Sequence, residues 1–242
     1  MATSGSIVSA ASGVHEELES RHVWGVPTRL AHWFAAISIV GLIATGFYIA
    51  WPYAYSQGEA YDNFLMGRVR EFHFAFGYVL LVAFLVRIFV FFTGNNYARS
   101  GFPFVWRKQW WNQIFEQIHD YLTIRIGKRY VGHNQLGALS YILFVVMMGG
   151  AQLLTGFAMY SESNPGGFWD RMVGWVIPLL GGSWQVHQWH HLFTWGLLLF
   201  VMIHVYVVVL DSVLLKNGLL SSIITGRKFV RKDDVDSKTW IS

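Results

Sequence analysis

The 242-residue chain contains no cysteine and few charged residues. Without cysteine it has no disulfide, no thioether attachment for haem, no thiolate zinc site and no iron–sulfur cluster held by its own ligands. Charged residues make up 13% of the sequence, whereas a typical soluble domain carries about 25%. We therefore do not expect a water-soluble domain.

The few charges are spaced so that long apolar segments separate them. Three segments carry no charge at all, at 30–58, 130–161 and 172–210, and a fourth apolar run at 72–92 is interrupted only by Arg87. Segments of this length cross a bilayer as helices. We predict an all-α integral membrane protein, a four-helix bundle. Its transmembrane helices are predicted at about 30–50, 72–92, 136–157 and 189–210.

Most basic residues lie on one side of the predicted bundle. Fourteen of the 18 Lys and Arg residues lie on the side of the two termini and of the loop at 93–135, and three lie on the other side. Because cytoplasmic loops carry an excess of Lys and Arg, both termini are predicted to be cytoplasmic, in a bacterial inner membrane. These flanking residues explain the formal charge of +4, so no nucleic-acid partner is expected.

The composition of the two chain ends separates an N-terminal arm and a C-terminal tail from the predicted membrane domain. Residues 1–20 are rich in Ala, Ser, Gly and Glu and lack the pattern of a signal peptide, so a disordered N-terminal arm is expected. The predicted membrane domain covers 21–215. A basic cytoplasmic tail is predicted at 216–242.

Ten histidines contrast with the absence of cysteine. His15, His22 and His119 are predicted to be exposed, and His133 and His187 lie at the edges of predicted helices. A ligating or ionisable side chain inside the bilayer is costly and usually functional. The histidines at that depth are His32, His73, His190, His191 and His204.

Helical geometry selects two histidines of the fourth helix. His190 and His204 are 14 residues apart, which places them about 40° from the same face and about 21 Å apart along the axis. His191 lies about 140° from alignment with His204 and is a weaker candidate. The fourth helix therefore presents one imidazole near each membrane surface.

Topology supplies each of these two histidines with a partner. His73 begins the second helix on the outer side, level with His190, and His32 begins the first helix on the inner side, level with His204. Two stacked pairs of imidazoles suit two b-type haems, which axial ligands hold without thioether bonds. Isolated polar contacts in a passive anchor, or a zinc-transport path, are the alternatives. No Asp or Glu lies within the predicted helices, which favours haem.

Three arginines lie near the predicted haem levels. Arg70 precedes His73 by three residues and Arg29 precedes His32 by three, so both are placed to pair with anionic propionates. Arg87 shares the face of His73 but lies at the inner level. Arg87 is predicted to neutralise inner-haem propionates or to line a quinone site, and a solvated helix end is the alternative.

A short sequence similarity links the first and third helices. LIATGFY at 42–48 and LLTGFAMY at 153–160 each lie near the outer end of a helix that runs in the same direction. Because glycine in membrane helices permits close approach, shared local packing is the favoured explanation. Internal duplication is the alternative.

Several motifs resemble the b-type cytochrome subunit of membrane-bound nickel–iron hydrogenases, within the wider cytochrome b561 and formate dehydrogenase gamma-like group. The resemblance covers about residues 21–230. The motifs are VPTRLAHWF at 26–34, GEAYDNFLMGRVREFHF at 58–74, GNNYAR at 94–99, VWRKQWW at 105–111, IGKRYVGHNQLG at 126–137, TGFAMYSE at 155–162 and VHQWHHLFTW at 186–195.

The resemblance implies a di-haem membrane anchor that passes electrons from the periplasmic iron–sulfur subunit of a hydrogenase to the membrane quinone pool. It implies the small iron–sulfur and large nickel–iron subunits as partners, and no hydrogen-activating site in this chain. A formate dehydrogenase-type complex is an alternative, which the segment at 58–74 disfavours. The family's haem-ligand positions match His32, His73, His190 and His204.

Family analogy also implies a quinone pocket near the inner haem, where a loop meets the third helix. His133 and Asn134 are the matching residues. A neutral polar pair of this kind is able to hydrogen-bond a quinone carbonyl and to relay protons. Asn134 as the N-cap of the third helix is the competing interpretation. His187 matches a recurrent histidine near the periplasmic surface, and His191 a position where relatives carry arginine.

Overall fold

The computed structural model describes residues 19–52, 64–99, 105–125 and 130–230. Nearly all of its elements are helices. In chain order they are β1 Glu19–His22, α1 Val26–Ala50, α2 Leu65–Thr93, α3 Asn96–Arg99, α4 Lys108–Thr123, α5 Gln135–Ser140, a π-helical segment Tyr141–Met148, α6 Gly149–Ser161, α7 Phe168–Val173, α8 Val176–Leu179, α9 Ser183–Leu215, α10 Leu219–Thr225 and β2 Arg227–Val230.

Four helices are long and apolar enough to cross a membrane, which confirms the four predicted spans. They are α1, α2, the continuous run from α5 to α6, and α9. All four extend beyond the predicted bounds, and α9 has 33 residues. The extra turns add polar and aromatic residues to the apolar cores of the spans. Helix α1 has a proline in its first turn, a position where a backbone N–H would have no acceptor within the helix, so its absence costs nothing.

The spans present apolar side chains outward over most of their surface. Val40, Phe89 and Leu199 are exposed by 63%, 65% and 57%. In water such a continuous apolar surface would drive association. In a bilayer it contacts hydrocarbon, and the helices satisfy their own backbone hydrogen bonds.

A buried cluster joins the spans at the end where α7 and α8 lie. Leu80 of α2, Phe157 of α6 and Val186 of α9 are buried together. Trp169 of α7 stacks on Phe157 with ring centroids 4.1 Å apart, and its Nε1 donates to Tyr78 Oη at 2.7 Å. The two short helices therefore close this end of the bundle.

The two chain ends meet at the opposite end. Strands β1 and β2 pair antiparallel, with Glu19 opposite Val230, so the described ends of the chain lie on the same side. Glu19 and Ser20 thus belong to a strand, although the disordered arm was predicted to reach residue 20. Residues 1–18 of that arm lie outside the described residues, as do 231–242 of the predicted tail.

Helix α4 is held against the start of the third span by glutamines. Gln117 Nε2 donates to Gln135 Oε1 at 2.6 Å, and Leu136 N donates to Gln117 Oε1 at 3.0 Å. Gln117 and Gln135 are both buried, and burying an amide requires such partners. The polar network therefore fixes α4 against the start of the third span.

A glycine joins the C-terminal segment to the first span. Gly226 adopts φ +82°, and its carbonyl accepts from Val23 N at 2.8 Å and Trp24 N at 3.1 Å. A Cβ added at this position would lie 2.7 Å from Trp24 O. Only glycine therefore suits both the backbone angle and the contact.

We expect Gly226→Ala to loosen the C-terminal segment. The left-handed conformation costs an alanine about 1–2 kcal/mol, and the new methyl group also collides with the Trp24 carbonyl. Thermal unfolding in detergent should show a lower midpoint, and limited proteolysis should release the segment after α9. Gly25→Ala is the control, since its Cβ would meet nothing closer than 3.7 Å. Equal unfolding midpoints of the two variants would contradict the requirement for glycine at position 226.

Candidate functional site

The two predicted outer histidines line one cavity. Residues from α1, α2, α6 and α9 enclose a space of about 410 Å³ that His73 and His190 both face. Cofactor pockets commonly span roughly 300–1,000 Å³. Gly77 also lines the cavity, and a Cβ built there would meet no atom within 4 Å. Arg70 lies at the same cavity, where its charge is available to an anionic group.

Each outer histidine contacts a threonine on a neighbouring helix. Thr45 Oγ1 of α1 lies 2.8 Å from His73 Nδ1. Thr155 Oγ1 of α6 lies 3.0 Å from His190 Nδ1. Both contacts use the same ring nitrogen, so the two rings are held in the same way.

The glycine that follows each threonine permits these contacts. A Cβ added to Gly46 would lie 3.3 Å from His73 Cε1, and one added to Gly156 would lie 3.1 Å from His190 Cε1. Both distances are tighter than ordinary carbon contacts, so a side chain would push the ring. The similar LIATGFY and LLTGFAMY segments thus supply matching Thr-Gly steps.

Gln152 is a site residue that sequence reasoning missed. Its Nε2 lies 3.1 Å from His190 Nε2 and donates to Thr194 Oγ1 at 2.9 Å. The sequence did contain a signal for Gln152, since it is the one amide side chain in the predicted helix at 136–157. Polar side chains in a span are expected to have a partner.

The two predicted inner histidines face each other. His32 of α1 and His204 of α9 have ring centroids 6.4 Å apart, with planes inclined by 50°. Two imidazoles bonded to one metal at about 2.0 Å each place their ring centres about 6 Å apart. The observed separation therefore suits two axial ligands of one iron. Phe200 stacks on His204 at 5.5 Å and supports its ring.

Two of the three predicted propionate partners have other contacts. Arg29 Nη1 donates to the Ile224 carbonyl at the end of α10, where a cation complements the helix dipole. Arg87 lies over the Tyr141 ring at 4.5 Å, and its Nη2 donates to Ala98 O at 3.2 Å. Among the described residues, Arg87 Nη1 is buried without a hydrogen-bond partner, so one of its donors remains for an anion.

Asn134 has the structural role that was considered as the competing interpretation. Its Oδ1 accepts from Gly137 N at 2.7 Å, the geometry of an N-cap. The oxygen is therefore engaged at the start of α5. The side-chain NH2 group hydrogen-bonds the Tyr121 hydroxyl, which leaves one of its two donors.

His133 precedes this cap and is packed among aromatic rings. Trp24 lies edge-on at 5.0 Å, and the Tyr141 ring is 6.3 Å away. Burial, reinforced by the charges of Arg87 and Lys228, lowers the pKa of His133 to about 3. The imidazole is therefore neutral at cellular pH, and it hydrogen-bonds the backbone of Tyr97.

Two further histidines lie near the outer pair. His187 and His191 also line the outer cavity, but the His187 ring bonds Ser183 O of its own helix at 2.8 Å. Among the residues the structure describes, no three His, Asp or Glu side chains cluster around a metal position. Zinc sites usually need three or four protein ligands, whereas two axial imidazoles suffice for haem. His15 and residues 58–63 of the family-like segment lie outside the described residues.

Comparison with known proteins agrees with these features. The family model of prokaryotic cytochrome b561 matches residues 23–226. The chain is 44% identical over 218 residues to a probable Ni/Fe-hydrogenase B-type cytochrome subunit of Azotobacter chroococcum mcd 1, covering 89% of this chain and 91% of that protein. It is 31% identical over 232 residues to a probable Ni/Fe-hydrogenase 1 B-type cytochrome subunit of Escherichia coli K12, covering 92% and 97%. The chain, with its four apolar spans and paired histidines, therefore belongs to the prokaryotic cytochrome b561 family.

Proposed function

We propose that this chain is the di-haem membrane anchor through which a periplasmic nickel–iron hydrogenase reduces membrane quinone. The observation that carries the proposal is the sorting of four span histidines into two pairs at different levels. His73 and His190 line one cavity, and His32 and His204 face each other at 6.4 Å. Relatives over nearly the whole chain bear the name of hydrogenase b-type cytochrome subunits.

The outer pair is suited to hold a flat cofactor. His73 and His190 would hold the haem iron through ring nitrogens, the open space at Gly77 would admit the macrocycle, and the Arg70 charge would be available to a propionate. The aliphatic and aromatic lining keeps water from the site. Haem b, once bound at each pair, supplies reversible one-electron chemistry.

The inner pair is assigned to a second haem. His32 and His204 would hold its iron, and the Nη1 of Arg87, which has no hydrogen-bond partner among the described residues, would be available to a propionate or to a quinone oxygen. Arg29 holds α10 against α1 and is the weaker propionate partner, since its Nη1 is already bonded to a backbone carbonyl.

A quinone pocket is assigned to the junction of the loop and the third span. His133 is held neutral by its low pKa, and a neutral imidazole at this junction provides a route for a proton from the cytoplasm. Asn134 caps α5 through its oxygen and bonds Tyr121 through its NH2 group, which leaves one N–H for a quinone carbonyl. The excess of Lys and Arg on this side of the bundle supports a cytoplasmic location for this junction.

The electron donor is assigned to another subunit. The chain has no cysteine, so the iron–sulfur cluster that delivers electrons belongs to a partner. The partner face is the outer end closed by α7 and α8, where Phe168, Trp175 and Trp184 are exposed by 66%, 54% and 72%. Exposed aromatic side chains are typical of interfaces.

The haem count and its dependence on histidine test the central assignment. A pyridine haemochrome assay on the purified chain should give two haems b. His204→Ala and His32→Ala should each remove the same haem, and His73→Ala and His190→Ala should each remove the other. Optical and electron paramagnetic resonance spectra distinguish the two.

His187→Ala is the matched control, because it lies on α9 and lines the outer cavity but bonds its own helix. It should retain both haems. Absence of haem b from the wild type would favour an imidazole-lined transporter or a passive anchor. The pairing would be overturned if the same haem were lost from two single variants whose replaced histidines belong to different proposed pairs.

The electron donor is tested in native membranes. Hydrogen gas should reduce the b-type absorbance of this chain, and purification in mild detergent should yield nickel–iron and iron–sulfur subunits in fixed proportion. Reduction by formate but not by hydrogen would instead identify the formate dehydrogenase-type complex. Membranes carrying His204→Ala supply the control, since quinone reduction should fail there while the hydrogenase subunits remain bound.

The neutral state of His133 predicts a pH dependence. Its pKa is about 3 in the fold and about 6.5 in an unfolded chain, so between these values the unfolded state binds more protons. Lowering the pH from 7 to 4 should destabilise the wild type relative to His133→Gln, by up to about 1.4 kcal/mol per pH unit. Thermal unfolding in detergent measures the difference. Parallel pH profiles would contradict a buried neutral imidazole.

A further inference from the structure

The outer pair is built from two similar units, each formed by two neighbouring spans. In each unit a Thr-Gly step on one helix contacts a histidine on the next. The contacts join Thr45 of α1 to His73 of α2 and Thr155 of α6 to His190 of α9. The LIATGFY and LLTGFAMY segments therefore meet the histidine rings in equivalent ways.

The proton of each threonine hydroxyl is already engaged within its own helix. Thr45 Oγ1 donates to Gly41 O at 2.6 Å, and Thr155 Oγ1 donates to Ala151 O at 2.8 Å. A hydroxyl carries one proton. Each oxygen therefore accepts from the ring nitrogen it faces, which means that the Nδ1 atoms of the two histidines carry the hydrogen.

The contacts of Gln152 lead independently to the same tautomer of His190. Thr194 Oγ1 donates its proton to His190 O at 2.9 Å, so the Gln152 atom that faces Thr194 Oγ1 is the amide nitrogen. That nitrogen also faces His190 Nε2 at 3.1 Å. Because the amide nitrogen only donates, His190 Nε2 presents a lone pair.

We propose that Thr45 and Thr155 are positioning residues that hold the outer pair of imidazoles with Nδ1 protonated, so that Nε2 of each ring carries the lone pair that would bind haem iron. The inference rests on the proposed function. Accepting the Nδ1 hydrogen makes a ligand histidine more basic and fixes its ring. A more basic axial ligand stabilises oxidised iron more than reduced iron, so the two threonines lower the reduction potential of the outer haem.

The inner pair lacks an equivalent contact on α1. Among the described residues, His32 Nδ1 is buried without a hydrogen-bond partner. The threonine effect is therefore confined to the outer level. The two threonine contacts lower the reduction potential of the outer haem relative to a haem whose ligands lack such acceptors. This difference favours electron transfer from the outer haem to the inner haem.

Threonine-to-valine changes test the inference in the purified full chain. Valine keeps the branched shape and removes the acceptor. Thr45→Val and Thr155→Val should raise the midpoint of the outer-haem wave in a potentiometric titration, and should weaken outer-haem binding about 10- to 100-fold. Each tenfold preferential loss of affinity for oxidised iron corresponds to about 59 mV for one electron. Thr45→Ser and Thr155→Ser, which retain the hydroxyl, should restore wild-type values.

The inner haem serves as an internal control for folding, since its midpoint and occupancy should not change. Thr93→Val is the matched control, because Thr93 Oγ1 likewise bonds a carbonyl of its own helix, Phe89 O. Unchanged outer-haem potential and affinity in both valine variants would overturn the inference and leave the di-haem assignment intact. A wild-type chain without haem b would overturn both. Equal shifts of the two haems, or no rescue by serine, would also refute the positioning role.

Discussion

The arrangement of this protein depends on the cost of placing unpaired polar groups in hydrocarbon. The bilayer offers no water, so an imidazole within a span needs a hydrogen bond or a ligand. At the outer level, Thr45 and Thr155 each bond one nitrogen of a histidine ring that lines the shared cavity. The hydrogen bonds that make these histidines tolerable in the membrane therefore also fix the rings as the proposed haem ligands.

The same constraint determines how closely the helices approach. A hydroxyl reaches a ring on the next helix only if the backbones come near, and glycine at 46 and 156 removes the side chains that would intervene. Membrane helices associate without a hydrophobic driving force, through such small residues and polar contacts. The Thr-Gly steps thus combine two tasks, helix packing and ligand orientation, in two adjacent positions.

The four spans were predictable because they depend on a local regularity, and the proposed histidine pairing follows from another. Apolar length defines a span, and the 14-residue separation of His190 and His204 places both on one helix face. The π-helical segment, the contact of Gln152 with His190 and the bond from Arg29 to Ile224 were not predictable. Each depends on which helices become neighbours, and a single sequence contains no record of that. The Thr-Gly similarity was visible, but only the fold shows the rings it contacts.

The two ends of the bundle are built differently, and the difference matches their proposed tasks. The outer site lies between continuous spans, closed by α7 and α8, so its ligands are held rigidly beside the face assigned to a protein partner. The inner end is assembled from distant segments, where Trp24 contacts His133 and Val23 bonds Gly226. Loops and a short sheet rearrange at lower cost than spans. A site that exchanges a mobile quinone and takes up protons needs such freedom, whereas fixed axial ligands need its absence.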